Sequence, residues 1–468
     1  MRERRLLQLV VAAAIVAGIG MRVWVLLTPL GTLDADEAVW GLMARHALEG
    51  ELFTFYWGQS YGGTQEVFLT AAAFAVVGSG TIALKLVPVG LVALAAVLVW
   101  RVGLRTVGEP AARIAAALFW IWPSYLVWKS TRAHGFYGSA LVLSLLVLLL
   151  VLRLRERPAA RDAALLGLAL GLGWWATPQF ALVAAPTVVW LAVVRRDALV
   201  RFWPALPAAL VGMLPWLVAN VRHDWFSFSF APGGGTYPSR FRGFFTATLP
   251  MALDLRVPFA FDWALGPVVS GVLLLAALSW VAFLALRRRE GLGPLLAVAL
   301  SFPFLYAASS FTWLVEEPRY LVLLLPVAAL LAAARLRRPG VAAVVLTAAL
   351  ALSVSGLERM EGSFRYKTRT GHVDVPDDLG PVLETLDARG DRTVVADYWV
   401  AERITFESRE RIVATSHRYP PFTETVRASA RPAHVFVDGT PSERKARARL
   451  MGNGYERIAV GGFVVYSG

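Results

Sequence analysis

The chain has 468 residues, 57% of them hydrophobic and only 17% charged, with a formal net charge of +13 and no cysteine. Soluble domains carry about 25% charged residues and do not repeat apolar runs of around 20 residues, so the composition predicts a polytopic α-helical membrane protein. The missing cysteines exclude disulfides, thiolate zinc sites, iron–sulfur clusters and cysteine nucleophiles.

The basic excess does not point to nucleic acid. Its arginines fall in short clusters between apolar runs, at Arg2 to Arg5, Arg153 to Arg161, Arg195 to Arg201, Arg287 to Arg289 and Arg335 to Arg338. That is the pattern of basic loops retained on the cytoplasmic face. Apolar runs of helical length occupy about 6–28, 82–104, 111–128, 136–152, 161–177, 178–194, 202–220, 266–286, 294–314, 319–334 and 340–357, which predicts about 11 transmembrane helices. The first of these is longer than a signal-peptide core and carries Arg22, so an uncleaved span with a cytoplasmic N-terminus is expected. A twelfth run, 64–79, is shorter; counting it as a crossing would put every later arginine cluster outside, so it is expected to dip in or to cross jointly with the next.

This topology places 29–63, about 129–135, the long loop 221–265, the segment Trp313 to Arg319 and everything after about 358 on the external face. From Glu358 the character changes. Short β-type runs at Arg392 to Asp397, His434 to Asp438 and Gly462 to Tyr466 alternate with helical runs at Pro381 to Arg389 and Ser442 to Met451. The division expected is therefore a transmembrane domain, 1–357, followed by a small soluble extracytoplasmic α/β domain, 358–468. Aspartates at its strand ends are read first as turn residues.

Chemistry-bearing residues gather outside. Asp34, Asp36 and Glu37 directly follow the first span, and charge at a membrane boundary is costly to desolvate unless it stays in water or has work to do. A carboxylate there can serve as a general base; equally, Asp34 or Asp36 can cap the helix predicted over Ala38 to Leu48, with acids favouring its dipole. Both roles are compatible. Arg319, in Glu316-Glu317-Pro318-Arg319-Tyr320, suits a lipid phosphate through its planar fork of donors, or an internal salt bridge to Glu316 or Glu317. Lys129 and Arg132 are further phosphate candidates, although for Lys129 snorkelling at a span boundary is the preferred reading. His134 is a candidate sugar or metal ligand. The glycine-rich run Gly58 to Gly63, with Gln59 and Tyr61, lacks a P-loop lysine and follows no strand, so no nucleotide cofactor is expected. No HExxH or similar spacing defines a metal site, and a divalent metal is left open.

Many spans, the first external loop with Asp34-Ala35-Asp36-Glu37-Ala38, a later Pro318-Arg319-Tyr320-Leu321 with Pro326, and a soluble tail together resemble the GT-C integral-membrane glycosyltransferases. The nearest branch is the superfamily of protein O-mannosyltransferases and lipid A aminoarabinose transferases. The resemblance covers the membrane region in layout and those two short motifs in detail. It implies a polyprenyl-phosphate-linked sugar donor, transfer on the external membrane face and inversion at the anomeric carbon. Asp36 and Glu37 match the family's Asp-Glu pair, which puts the catalytic base there, and Asp34 adds an Asp-x-Asp form. Glu66 stands where the aminoarabinose branch has a glutamate before Lys-Pro-Pro; here Val67-Phe68-Leu69 follows.

The function expected is therefore transfer of a sugar from a polyprenyl phosphate to an acceptor hydroxyl, metal-assisted or metal-independent. The catalytic candidates are Asp36, Asp34 and Glu37. Arg319, Arg132 and Lys129 would bind the donor phosphate, and Glu66, Gln59, Tyr61, His134, Tyr137, Glu317 and Tyr320 the substrates. Expected partners are the lipid-linked donor, membrane lipid, and a glycan, lipid or protein acceptor of a bacterial cell envelope. Two other classes remain alternatives: a polytopic transporter of a polar or lipid-linked substrate, and a non-catalytic envelope-assembly protein. Against transport, the polar residues gather at one membrane face and no half-repeat is evident.

Overall fold

Apolar runs separated by arginine clusters become the helices of the computed structural model, which describes residues 2–229, 233–287, 291–312, 317–363, 365–368 and 371–468. The first part of the chain forms α1 (Arg2–Leu26), α2 (Ala35–Leu48), α3 (Gln65–Val77), α4 (Thr81–Thr106), α5 (Glu109–Ile121), α6 (Ser124–Lys129), α7 (Tyr137–Glu156) and α8 (Ala160–Ala176). It continues with α9 (Ala181–Val194), α10 (Ala205–Gly212), α11 (Leu214–Arg222), α12 (Tyr237–Gly243), α13 (Leu249–Ala252), α14 (Pro267–Leu286), α15 (Gly293–Ala308), α16 (Leu325–Ala333) and α17 (Pro339–Ser363).

Five of these helices are long and apolar enough to cross a membrane, or up to seven if each of two bent pairs counts as one span. That is a multi-pass membrane protein, but the hydropathy reading joined elements that the backbone breaks. The run 111–128 divides at Pro123, which has no amide hydrogen to continue the ladder, into α5 and α6. The run 319–334 opens as a 3-10 turn, Arg319–Leu321, and leaves only nine residues of α-helix in α16. Helix α3 has 13 residues, about 20 Å at 1.5 Å per residue, well short of a hydrocarbon core of about 30 Å. Trp313 and Glu316 lie outside the described residues.

Arg22 stands within α1, buried. Its Nε donates to Ser130 Oγ at 2.9 Å, its Nη1 to the carbonyls of Gly18 and Trp120, and its guanidinium lies 3.6 Å from the centre of the Trp120 ring. An arginine inside a membrane span is tolerated when it finds partners of this kind. Here it ties α1 to the α5–α6 break.

After α17 a hairpin of β1 (Tyr366–Thr368) and β2 (Gly371–Val373) leads into a five-stranded mixed sheet. Its strands are β3 (Thr393–Ala396), β4 (Val413–Ala414), β5 (Ala433–Val437), β6 (Glu456–Val460) and β7 (Phe463–Ser467), in the order β4-β3-β5-β7-β6. The first three run parallel; β7 and β6 complete the sheet antiparallel. Helices α18 (Gly380–Arg389), α19 (Tyr398–Glu407), α20 (Pro420–Ala428) and α21 (Pro441–Gly452) flank it. The three expected strands and two expected helices lie within one or two residues of their predicted places; α19, α20, β4 and β6 were not foreseen. The strand-end aspartates are turn residues as read: Asp397 caps α19 through the Trp399 amide, and Asp438 accepts from the Gly439 amide and Arg457.

The helix expected behind the acidic cluster is α2, and it is buried on nearly every side. Helix α19 rests on it so closely that a Cβ on Gly41 would meet the Phe406 ring at 2.3 Å. At the far end of this seam His46 bridges two glutamates, Nδ1 to Glu51 at 3.2 Å and Nε2 to Glu410 of the sheet domain at 3.1 Å. Arg45, Arg409 and Tyr419 are the other titratable groups there, with Trp57 and Phe422 packed against the ring. Burial pushes the imidazole pKa down, but the two glutamates outweigh it and the net shift is upward. A raised histidine pKa adds stability that is complete below the unfolded value of about 6.5 and is lost as pH rises through the folded value. Melting temperature is expected to fall across that window, and the slope to flatten in His46→Gln.

Candidate functional site

Asp34 begins α2 by accepting the Glu37 amide at 2.9 Å while the Glu37 carboxylate reaches back to the Asp34 amide at 3.3 Å, a reciprocal capping box. The cap reading of this motif is therefore correct for Asp34, and the same geometry decides what each acid faces. Asp34 and Glu37 turn inward. Glu37 takes Lys85 Nζ on both oxygens at 2.8 and 2.9 Å, the Ala133 amide at 2.9 Å and Arg132 Nη1 at 3.3 Å. Asp34 Oδ2 accepts from Arg132 and from His134 Nε2, each at 2.6 Å. Burial raises the Asp34 carboxyl, yet His134 and Arg132 overcome it and hold the group well below the usual carboxylate range.

The proton positions follow from the partners. Lys129 Nζ has only hydrogens to give and lies 2.6 Å from His134 Nδ1, so Nδ1 accepts and Nε2 carries the hydrogen donated to Asp34. The 130–135 loop that supplies these groups turns at Gly135, whose φ is +60° and where a Cβ would meet the Trp40 ring of α2 at 1.5 Å. Both conditions demand glycine. Gly135→Ala is expected to lower stability by about 2–4 kcal/mol, from left-handed strain plus overpacking, read as a drop in melting temperature.

Asp36 points the other way. Its side chain is 39% exposed, against 3% for Asp34 and 0% for Glu37. Oδ1 accepts the hydroxyl of Tyr398 and that of Tyr56 at 3.3 Å, with Arg418 Nη2 at 3.8 Å. Oδ2 accepts no hydrogen bond among the described residues. One oxygen is fixed and the other is available, which is the arrangement a general base requires. Tyr398 and Arg418 belong to the sheet domain, so that domain supplies part of the site's wall.

A second group of candidates meets at a small cavity lined by Glu66, Lys129, Arg132, His134 and Tyr137, with Pro88, Leu141 and Val322. Glu66 accepts the Ser139 amide at 2.7 Å, and Lys129 lies 4.7 Å from the centre of the Tyr137 ring. Arg319 pairs with Glu317, whose other oxygen accepts the Tyr125 hydroxyl at 2.8 Å, and lies within electrostatic reach of Tyr137 in the cavity wall. Burial pushes Glu317 up, and Arg319 and Lys129 bring it below its ordinary value. Tyr320 is buried against Tyr306 with the Arg319 guanidinium 5.9 Å from its ring centre, beside this cavity without lining it. Tyr61 lies within the electrostatic reach of Asp36, Arg319 and Arg418 together, linking the two halves of the site. Gln59 sits half-buried at the turn of the same loop, its backbone amide bonded to the Tyr56 carbonyl.

Sequence reasoning missed Lys85, Tyr56, Tyr125, Tyr398 and Arg418. A lysine five residues into an apolar helix was a usable signal for Lys85, because such a charge needs a partner. Nothing local marks Tyr398 or Arg418.

Asp34, Glu37 and His134 bring ligand-type atoms within 4.8 Å of one another. Their charges are already matched, two carboxylates by Lys85 and Arg132, and the His134 ring nitrogens are engaged on both sides. A divalent cation would have to displace both bases, so the cluster fits an ion network and not a metal centre.

No family profile and no curated protein sequence matches the chain. Solved structures do. ArnT from Cupriavidus metallidurans bound to undecaprenyl phosphate superposes with a TM-score of 0.66 at 12% identity, over 98% of this chain and 97% of that one. The oligosaccharyltransferase of Archaeoglobus fulgidus in complex with zinc and sulfate gives 0.54 at 12% identity, over 98% and 73%. The archaeal oligosaccharyltransferase AglB from the same organism, in complex with an inhibitory peptide and a dolichol-phosphate, gives 0.52 at 11%, over 98% and 74%. This chain shares the GT-C fold of these membrane glycosyltransferases.

Proposed function

We propose that this protein transfers a sugar from a polyprenyl phosphate to an acceptor hydroxyl at the external membrane face. The observation that carries the reading is Asp36: of the three clustered acids, it alone is half open, with one oxygen fixed and one free among the described residues. Neighbouring folds with bound undecaprenyl phosphate and dolichol-phosphate support a lipid-linked donor.

In this reading the donor enters between spans and its phosphate meets Arg319, Lys129 and Arg132. Arg319 exchanges Glu317 for a phosphate oxygen. The acceptor approaches past Tyr61 and Gln59. Asp36 Oδ2 takes its hydroxyl proton as the oxygen attacks the anomeric carbon, the glycosyl–phosphate bond breaks in line, and inverted product and polyprenyl phosphate leave. Asp34 and Glu37 hold Arg132, His134 and the start of α2 in place, while Glu66, Tyr137 and Tyr320 shape the donor cavity and its surroundings. The matching topology has a cytoplasmic N-terminus and an extracytoplasmic domain from 358 onward.

A transfer assay tests this. Purified protein in lipid, with a crude envelope acceptor, is given a panel of polyprenyl-phosphate sugars while free polyprenyl phosphate is followed. Release with one donor is expected and names the sugar. Release with none, from folded protein, would overturn the reading in favour of transport or scaffolding.

A further inference from the structure

The turn 416–419 of the sheet domain carries two side chains across to the first external loop. Arg418 approaches Asp36 and donates through Nε to the Tyr398 hydroxyl at 3.3 Å; Tyr419 stacks on Trp57 with ring centres 4.1 Å apart. Both backbone amides of this pair donate to one atom, Ser416 Oγ, at 3.1 and 2.9 Å. A hydroxyl has two acceptor sites and one hydrogen. With both acceptor sites taken, the hydrogen has one destination: Glu402 Oε1, at 2.6 Å. Glu402 is 1% exposed and lies on α19 one turn beyond Tyr398. Its second oxygen has no partner among the described residues.

A buried acid with one orphaned oxygen is a poor choice for stability alone. Resting on the assignment of Asp36 as the base, we propose that Glu402 is a positioning residue: through Ser416 it fixes the turn that sets Arg418 and Tyr398 against Asp36. The base then keeps Oδ1 engaged and Oδ2 directed at the acceptor. Charge state follows from the surroundings. Burial pushes the Glu402 carboxyl up to about 7 against the opposing pull of Ser416 and Arg418, with Asp36 adding repulsion and Tyr398 on the same face of α19. A raised carboxyl pKa means the folded form holds a proton that the unfolded chain has already lost, so stability falls as pH rises from about 4.5 toward about 7. In either charge state the carboxyl accepts from Ser416, and the bond strengthens on the carboxylate.

Ser416→Ala and Glu402→Gln test this. Ser416→Ala is expected to lower kcat by about 10–100-fold, the scale of a small misplacement, with the donor KM unchanged. Glu402→Gln keeps an acceptor for Ser416 and is expected to retain most of kcat, whereas Glu402→Leu, which offers none, is expected to fall as far as Ser416→Ala. An unchanged kcat in folded Ser416→Ala, or a folded Glu402→Leu that turns over like wild type, would overturn the proposal. A second readout needs no turnover. The chain is free of cysteine, so spin labels at Glu49→Cys and Glu424→Cys, both exposed, report the distance between loop and domain. That distribution is expected to broaden in Ser416→Ala; if it does so while wild type transfers no sugar, the base assignment falls and the positioning role stands. An unchanged distribution would remove the positioning role.

Discussion

Asp36→Asn is expected to lower turnover by about 10²–10⁴-fold, the usual contribution of a general base, while the protein stays folded. The asparagine oxygen can still accept from Tyr398 and Tyr56, which both reach Oδ1, so the wall of the site keeps its hydrogen bonds. What disappears is the basicity of Oδ2 and the charge facing Arg418. Donor KM is expected to change little, because the phosphate candidates Arg319, Lys129 and Arg132 do not contact this carboxylate among the hydrogen bonds described. Steady-state kinetics on wild type and variant, with a melting curve for each, separate the two effects. A variant that folds and turns over within about threefold of wild type would take the base role away from Asp36.

Parts of this architecture are legible in the sequence alone. Three carboxylates immediately after an apolar run marked the first external loop, since unpaired charge is not left at a membrane boundary without cause. The short runs rich in β-branched and aromatic residues at Arg392 to Asp397, His434 to Asp438 and Gly462 to Tyr466 marked strands, because such side chains suit a packed, pleated surface. The count of spans was less legible. Hydropathy averages over a window and does not register that Pro123 ends a hydrogen-bond ladder, or that Arg319–Leu321 opens as a 3-10 turn. Which acid faces the site was not legible either. Asp34, Asp36 and Glu37 look equivalent in a string of letters, but the capping box turns two of them inward and leaves the third outward. Besides the nearby Tyr56, the partners of that third acid are Tyr398 and Arg418, both from the far end of the chain, brought in by the seating of α19 on α2. No local pattern encodes such a contact.

Lys85→Met is expected to destabilise the protein by about 3–5 kcal/mol, the range for removing one partner of a buried pair. Lys85 and Glu37 side chains are 4% and 0% exposed, and the ammonium binds both carboxylate oxygens. With methionine in its place, Glu37 keeps Arg132 at 3.3 Å and the Ala133 amide, yet Arg132 is already shared with Asp34. Two carboxylates would then compete for one guanidinium in a site closed to water. The double variant Glu37→Met with Lys85→Met removes both charges and leaves Asp34 with Arg132 as a matched pair. Its expected cost is smaller than that of Lys85→Met alone, because exchanging a whole buried pair for apolar groups is often close to neutral. Thermal melts of both variants and of Glu37→Met in one lipid composition give the coupling energy directly. The consequence reaches the chemistry through α2. Glu37 closes the capping box on the Asp34 amide, so an unbalanced Glu37 loosens the first turn, which also carries Asp36. Lys85→Met should therefore lower kcat as well as stability, whereas the double variant, which loses the return bond of the box and the acceptor of the Ala133 amide, should recover more stability than activity. If Lys85→Met instead melts within about 1 kcal/mol of wild type, a surface-like value, Arg132 alone suffices for both acids and the lysine has no part in holding the base.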